Sequence, residues 1–324
     1  MLPSFDYMKV VTDSSHNSVS RPLPGGVIPA LPTPLLSNGA LDEPGYAALI
    51  DRSVEAGVDG VLALGSSGEV AAIDAGVRSH AVTVALTAAR GRVPVIIGVA
   101  GADIAATRSG IASLADAGAS AALVAPPSYG PLTQDGVTRF YESIATDAIP
   151  LLGYHIPAFT NVPIEPSTVA RLARSGALSG IKDSARDLEY LQQVIHARDR
   201  SNHQWAVYVG TDSLLLPAML LGATGGITLA ASIAPAWAVQ VIRELRAGRR
   251  NEAVAVLAKL TERVFVLRKG DFPAGAKAAL SLQGIAGRDL AAPRDGLGEE
   301  ELRVLERQLI ALGVPGLVRA QGAA

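Results

Sequence analysis

An amine in a chain that otherwise relies on arginine is the group best suited to covalent carbonyl chemistry. Only five of the 28 basic residues are lysine, and Lys182 stands alone between Lys9 and Lys259. It lies in Gly180-Ile181-Lys182-Asp183-Ser184, directly after an apolar run. Lysine can shed its proton when desolvated and attack a carbonyl carbon, whereas arginine effectively stays protonated. Scarcity alone fits a residual surface lysine equally well, so position must decide. Three further segments carry groups that would serve such an amine: Gly65-Ser66-Ser67-Gly68-Glu69, Ser128-Tyr129 and Gly153-Tyr154-His155. Phenols and hydroxyls both donate and accept, so they can move protons at each stage of imine chemistry. A Gly/Ser turn can aim backbone N–H groups at a carboxylate.

The elements that would gather these residues follow from the apolar pattern. Short runs rich in Val and Ile recur at Val27–Leu31, Gly60–Leu64, Val93–Val99, Ala121–Ala125, Pro150–Tyr154, Leu178–Lys182, Trp205–Val209 and Gly226–Ala230. Between them lie segments with helical patterning: Pro44–Ala56, Ala75–Ala89, Ile104–Ala117, Gln134–Thr146, Pro166–Arg174, Leu188–Ala197, Ser213–Leu220 and Ala234–Arg246. Strands alternating with helices imply parallel pairing, because each return to the sheet needs a crossover. Eight such units predict an α/β protein with a (β/α)8 barrel, and no Gly-x-Gly-x-x-Gly opens a helix after the first strand to favour an open sheet. Further helices are expected near Asn251–Arg268, Ala274–Leu282 and Glu299–Leu312. Barrel chemistry sits at the C-terminal strand ends. There the pattern places Lys182 on the sixth strand, Tyr154 on the fifth, the Ser66-Ser67 turn after the second and Tyr129 past the fourth.

Bulk composition narrows the alternatives. The 324 residues are 49% hydrophobic and only 4% aromatic, with a net charge of −2. That balance gives no reason to expect nucleic acid or an anionic membrane as partner. Absence of cysteine excludes disulfides, thiolate metal sites and a cysteine nucleophile, and suits a cytoplasmic location. No apolar run approaches the roughly 18 residues that span a bilayer. Residues 1–24 read as a flexible, Ser- and Pro-containing extension, 25–248 as the barrel and 249–324 as a helical extension of the same domain.

Several residues have structural readings. His155 and Asp183 follow Tyr154 and Lys182, so on strands they face the opposite way. Glu69 reads as a carboxylate pinning the Ser-Ser turn. His80, His196 and His203 lack ligand-like spacing, so no metal site is expected.

Taken together, the motifs are similar to those of the dihydrodipicolinate synthase / N-acetylneuraminate lyase family. The similarity rests on Gly65-Ser66-Ser67-Gly68-Glu69, Gly153-Tyr154-His155-Ile156-Pro157, Gly180-Ile181-Lys182-Asp183-Ser184 and Val209-Gly210-Thr211-Asp212. Gly222-Ala223-Thr224-Gly225-Gly226-Ile227 and Lys277-Ala278-Ala279-Leu280 extend it, and it covers roughly residues 25–315. The resemblance implies Schiff-base chemistry on pyruvate or another 2-oxo acid, with an aldehyde as co-substrate or product and no cofactor. It also implies a homotetramer built as a dimer of dimers. By position, Lys182 resembles the imine-forming lysine and Tyr154 the acid/base tyrosine. Ser66 and Ser67, with Gly65, match the hydroxyl turn that holds the substrate carboxylate. Tyr129 matches a second tyrosine that reaches the neighbouring subunit's site. Ile227 would line the pyruvate pocket through its carbonyl, and Gly210 and Phe159 would border the substrate. Phe159 stands where synthases typically carry an arginine for a carboxylate, Asn161 replaces a common glycine, and Ser128 replaces the first of a tyrosine pair. The resemblance therefore points to a lyase or aldolase acting on a 2-oxo acid. Dihydrodipicolinate synthase, a dehydratase or aldolase for sugar-derived 2-oxo-3-deoxy acids, and a 2-oxo-acid-binding sensor stand as alternatives.

Overall fold

The computed structural model describes residues 23–317. The extension expected over residues 1–24 lies, apart from Leu23 and Pro24, outside the described residues. Eight strands form one parallel sheet: β1 (Gly26–Pro29), β2 (Val61–Ala63), β3 (Val95–Val99), β4 (Ala121–Val124), β5 (Leu151–His155), β6 (Gly180–Asp183), β7 (Ala206–Val209) and β8 (Gly225–Thr228). Their order is β1-β8-β7-β6-β5-β4-β3-β2, and a parallel bridge between Ala30 and Leu62 joins the two ends. The sheet therefore closes into the expected (β/α)8 barrel.

The first four crossovers are α1 (Glu43–Glu55), α2 (Ala75–Ala89), α3 (Ile104–Asp116) and α4 (Gln134–Ile144). After β5 come a short α5 (Pro157–Thr160) and α6 (Pro166–Arg174), and after β6 comes α7 (Leu188–Asp199). A 3-10 turn (Asp212–Leu214) leads into α8 (Leu215–Leu220), and β8 leads into α9 (Ala230–Ile233) and α10 (Pro235–Arg246). Three more helices follow: α11 (Arg250–Val266), α12 (Ala274–Leu282) and α13 (Glu299–Ala311). Side-chain caps set several of the starts. Asp42, Asp74, Asp103, Thr133 and Asp187 each accept a backbone N–H from the first turn of the helix that follows.

Several element bounds differ from the sequence expectation, most of them by one or two residues. Helix α5 lies in a stretch to which the sequence pattern assigns no element. The eighth strand stops at Thr228 rather than Ala230, because the buried Asp212 carboxylate accepts the Ala230 N–H at 2.9 Å and starts α9 there. Burial raises the Asp212 carboxyl above its ordinary range, with the hydrogen bond from the Ala230 N–H opposing the shift.

Side chains alternate across the barrel wall. Ile28, Leu62, Ile96, Leu123, Leu152, Tyr208 and Ile227 belong to an inner cluster. Val27, Val61, Ile97, Val124, Ile181 and Val207 face the helices in the larger outer core. Tyr208, fully buried, donates its hydroxyl to the Pro24 carbonyl at 2.6 Å and closes the barrel beneath β1. The opening consequently lies at the C-terminal strand ends.

The helices beyond the barrel are fastened to it by charge. Lys277 of α12 is fully buried and ion-pairs with buried Glu69, in the turn after β2. Burial lowers the Lys277 ammonium below its ordinary range, and Glu69 works against that shift. Glu69 also accepts the Ala291 N–H at 2.9 Å and lies 3.4 Å from Arg294. Removing one partner of a buried pair strands the other charge, at a cost of about 3–5 kcal/mol. Lys277→Met should accordingly lower unfolding stability by that amount in urea titrations. The Glu69→Gln/Lys277→Met double variant should lose less than the sum of its single variants.

Candidate active site

Pairing register assembles the centre of the site. Tyr154 on β5 pairs with Lys182 on β6, and both share the inward parity of Leu152 and Gly180. Lys182 is 3% exposed and Tyr154 is 7% exposed. The Lys182 ammonium donates to the Tyr154 phenol oxygen at 3.3 Å, and that oxygen shares a 2.9 Å hydrogen bond with Ser66 Oγ. Nζ also lies 4.4 Å from the centroid of the Tyr154 ring. Amine, phenol and hydroxyl thus form one continuous chain along which protons can pass.

The Ser66 turn is a strained segment. Leu64 and Glu69, which bracket it, adopt positive φ values of 54° and 56°. Thr33 holds the turn from the β1 side by donating Oγ1 to the Gly68 carbonyl at 2.8 Å. Glu69 fixes the far side through Lys277 and the Ala291 N–H, so its structural role agrees with the sequence reading. Opposite, Gly210 permits the lysine to extend. A Cβ there would lie 3.1 Å from Lys182 Cε and 2.0 Å from Ser184 Oγ.

A cavity of about 500 Å³ opens at the C-terminal ends of β2 to β5, within the size range of small-molecule sites. Ser66 and Tyr154 form its inner wall, and Phe159, Tyr129 and Arg294 lie around it. Of the expected site residues, Lys182, Ser67, Gly210 and Ile227 do not line it. Ser67 is buried in the turn and Ile227 is fully buried in the inner barrel layer. Tyr129 has a fully exposed side chain within this chain, with no hydrogen bond to Lys182, Tyr154 or Ser66. Phe159 is 55% exposed and packs edge-to-face on Phe272, with ring centroids 5.9 Å apart.

His155 and Asp183 face the outside of the barrel wall, as strand alternation requires. His155 Nδ1 and Asp183 Oδ1 are 2.7 Å apart, both groups are buried, and Tyr190 stacks on the imidazole at 4.1 Å. Thr33 and Arg294 went unnoticed in the sequence. Thr33 sits in a Pro-rich loop with no periodic signal, and Arg294 lies in a stretch where nothing distinguishes it from surface arginines.

The dihydrodipicolinate synthetase family model matches residues 23–312. The chain belongs to that family. Among its relatives is a 4-hydroxy-tetrahydrodipicolinate synthase of Syntrophus aciditrophicus, 32% identical over 292 residues, 90% of this chain and 99% of that protein. The putative 2-dehydro-3-deoxy-D-gluconate aldolase YagE of Escherichia coli is 33% identical over 225 residues, covering 69% of this chain and 74% of YagE. The crystal structure of YagE in complex with pyruvate superposes with a TM-score of 0.84 at 31% identity, over 90% of this chain and 99% of YagE. Dihydrodipicolinate synthase from Thermotoga maritima gives a TM-score of 0.85 at 28% identity, again over 90% of this chain and 99% of the other. Family and fold agree with the motifs that suggested them.

The contact between Gly210 and Lys182 is directly testable. Gly210→Ala should displace the lysine side chain and slow borohydride-trapped adduct formation with pyruvate by at least about tenfold, a barrier change near 1.4 kcal/mol. Intact-protein mass spectrometry over time would measure it, with circular dichroism as the control for folding.

Proposed function

We propose that this chain is a Schiff-base lyase, a class I aldolase that cleaves or forms a 2-oxo acid from pyruvate and an aldehyde. The observation that carries this reading is the Lys182–Tyr154–Ser66 chain, whose Tyr154 and Ser66 line the cavity. Lys182, as the free amine, attacks the C2 carbonyl, and Tyr154 supplies the proton that lets the hydroxyl leave as water. The product is a protonated imine. In the cleavage direction Tyr154 removes the C4 hydroxyl proton, the C3–C4 bond breaks, and its electron pair flows into the imine to give an enamine. The aldehyde departs, the enamine is protonated at C3, and water hydrolyses the imine to release pyruvate and Lys182. Ser66 exchanges protons with Tyr154 between steps. Backbone N–H groups of the Gly65-Ser66-Ser67 turn receive the substrate carboxylate.

Phe159 bears on the substrate. A phenyl ring cannot pair with a carboxylate, so efficient dihydrodipicolinate synthesis from aspartate semialdehyde is not expected of this chain. The likeness to YagE favours 2-oxo-3-deoxy sugar acids, which the same imine could cleave or dehydrate. Exposed Tyr129 fits a part played toward a neighbouring subunit, and we place the working form as a homotetramer in the cytoplasm. No helix among the described residues is long and apolar enough to cross a membrane.

Borohydride reduction in the presence of pyruvate should add one pyruvyl group on the peptide carrying Lys182. An unmodified mass on folded protein would refute the reading. Tyr154→Phe should keep the adduct on longer incubation yet lower kcat for aldol cleavage by about 10²–10⁴-fold. A coupled assay with aspartate semialdehyde should give turnover far below that with sugar-derived 2-oxo acids, and efficient turnover would restore the synthase alternative.

A further inference from the structure

The cavity has a charged end that the imine chemistry does not use. Arg294, from the segment between α12 and α13, is the one cationic side chain on the cavity wall among the described residues. Its guanidinium donates to the Phe272 carbonyl at 3.1 Å and lies 3.4 Å from Glu69 Oε2. Glu69 is already neutralised by fully buried Lys277 and also accepts the Ala291 N–H. Glu69 therefore faces two cations, Asp289 also acts on the Lys277 charge, and of the two cations Arg294 is the one with an exposed side chain, at 26%. Three acidic groups lie nearby. Asp103 also borders the cavity, but its carboxylate is engaged in capping α3 through the Ala106 N–H at 2.7 Å. Asp289 and Asp295 border a separate hollow behind Arg294, and neither forms an ion pair with it.

Arg294 is also tied to the wall across from it. Phe272, whose carbonyl it holds, packs its ring on Phe159. The β5 loop thus contributes an apolar face, and the C-terminal segment contributes a guanidinium beside it. A cavity of about 500 Å³ leaves ample room beyond a bound pyruvate.

We propose that Arg294 receives a second carboxylate at the far end of a sugar-derived substrate, so that 2-oxo-3-deoxyaldaric acids are preferred over the corresponding aldonic acids. Arg294 has this role only if Lys182 forms the imine proposed above. The guanidinium fork matches a carboxylate in two-point contact, which makes it selective against a terminal alcohol.

The test compares a 2-oxo-3-deoxyaldaric acid with the 2-oxo-3-deoxyaldonic acid of the same length, following substrate loss by chromatography. That readout registers cleavage and dehydration alike. The wild-type protein should show the higher kcat/KM for the diacid. In Arg294→Gln the diacid-to-monoacid ratio should fall by about tenfold or more, the size expected for a lost charge-assisted contact. Arg294→Lys keeps the charge without the fork, so its ratio should lie between the two. A brace for Glu69 and Phe272 alone would lower both substrates together and leave the ratio unchanged, which would overturn the proposal. Equal turnover of the two acids by the wild type, preference for the monoacid, or turnover of neither would overturn it as well. If the Gln variant does not fold, an unchanged ratio in Arg294→Lys has the same force. Pyruvate trapping on wild-type Lys182 separates the two levels: no adduct refutes the imine, whereas an adduct without diacid preference refutes only the role of Arg294.

Discussion

Strands β5 and β6 pair Tyr154 with Lys182 and His155 with Asp183, and the two pairs face opposite sides of the barrel wall. A one-residue slip in that register would turn the amine out among the helices and bring the aspartate inward. The outer pair opposes such a slip, because a buried hydrogen bond of 2.7 Å links His155 to Asp183 across the same two strands. Tyr190 of α7 stacks on the histidine and donates its hydroxyl to the Ile164 carbonyl at 2.6 Å, so the link is held from behind. Burial, reinforced by the nearby Asp183 charge, raises the Tyr190 phenol well above its ordinary value and keeps it a donor. Lys182 owes its position to polar contacts on the opposite side of the barrel wall.

A second fixed point lies at the turn after β2. Backbone strain at Leu64 and Glu69 persists only where surrounding contacts over-determine it. Thr33 supplies one such contact and the Glu69–Lys277 pair another. The helices beyond the barrel therefore have a task at the active site, since α12 provides the counter-charge that holds the Ser66 turn against Tyr154. Lys277 is the second lysine with a defined place, and its burial explains why an amine rather than a guanidinium stands there. A single point charge fits the space beside Glu69, and a planar fork demands more donors' worth of partners.

Legibility in the sequence follows the range of each interaction. Strand alternation and helix periodicity are local, so the eight units, the inward turn of Lys182 and Tyr154, and the outward turn of His155 and Asp183 could all be read directly. Strand ends were less legible, because tertiary contacts set them. Asp212 ends β8 by capturing the Ala230 N–H from 18 positions away. Glu69 could be read as structural, but not its partners, since the Ala291 N–H it accepts lies 222 positions on. Arg294 had no signal, for its meaning comes entirely from the cavity it borders. Tyr129 illustrates the opposite limit. Its motif suggested a place in the site, and within the chain its side chain is fully exposed at the border of the cavity.

The two ends of the cavity are built from different kinds of structure, and this bears on how substrate choice can vary within one reaction. Lys182 and Tyr154 stand on hydrogen-bonded strands whose positions the barrel fixes to high precision. Phe159, Phe272 and Arg294 stand on a short helix and on segments outside the barrel, where a substitution disturbs few packed neighbours. Chemistry at the strand ends is therefore constrained by register, while recognition at the rim is free to exchange a charge on one segment for a charge on another. The β5 loop lacks a cation, the C-terminal segment carries one, and Phe272 joins the two by its ring and its carbonyl. Reaction class follows from the fixed end, and substrate identity from the rim.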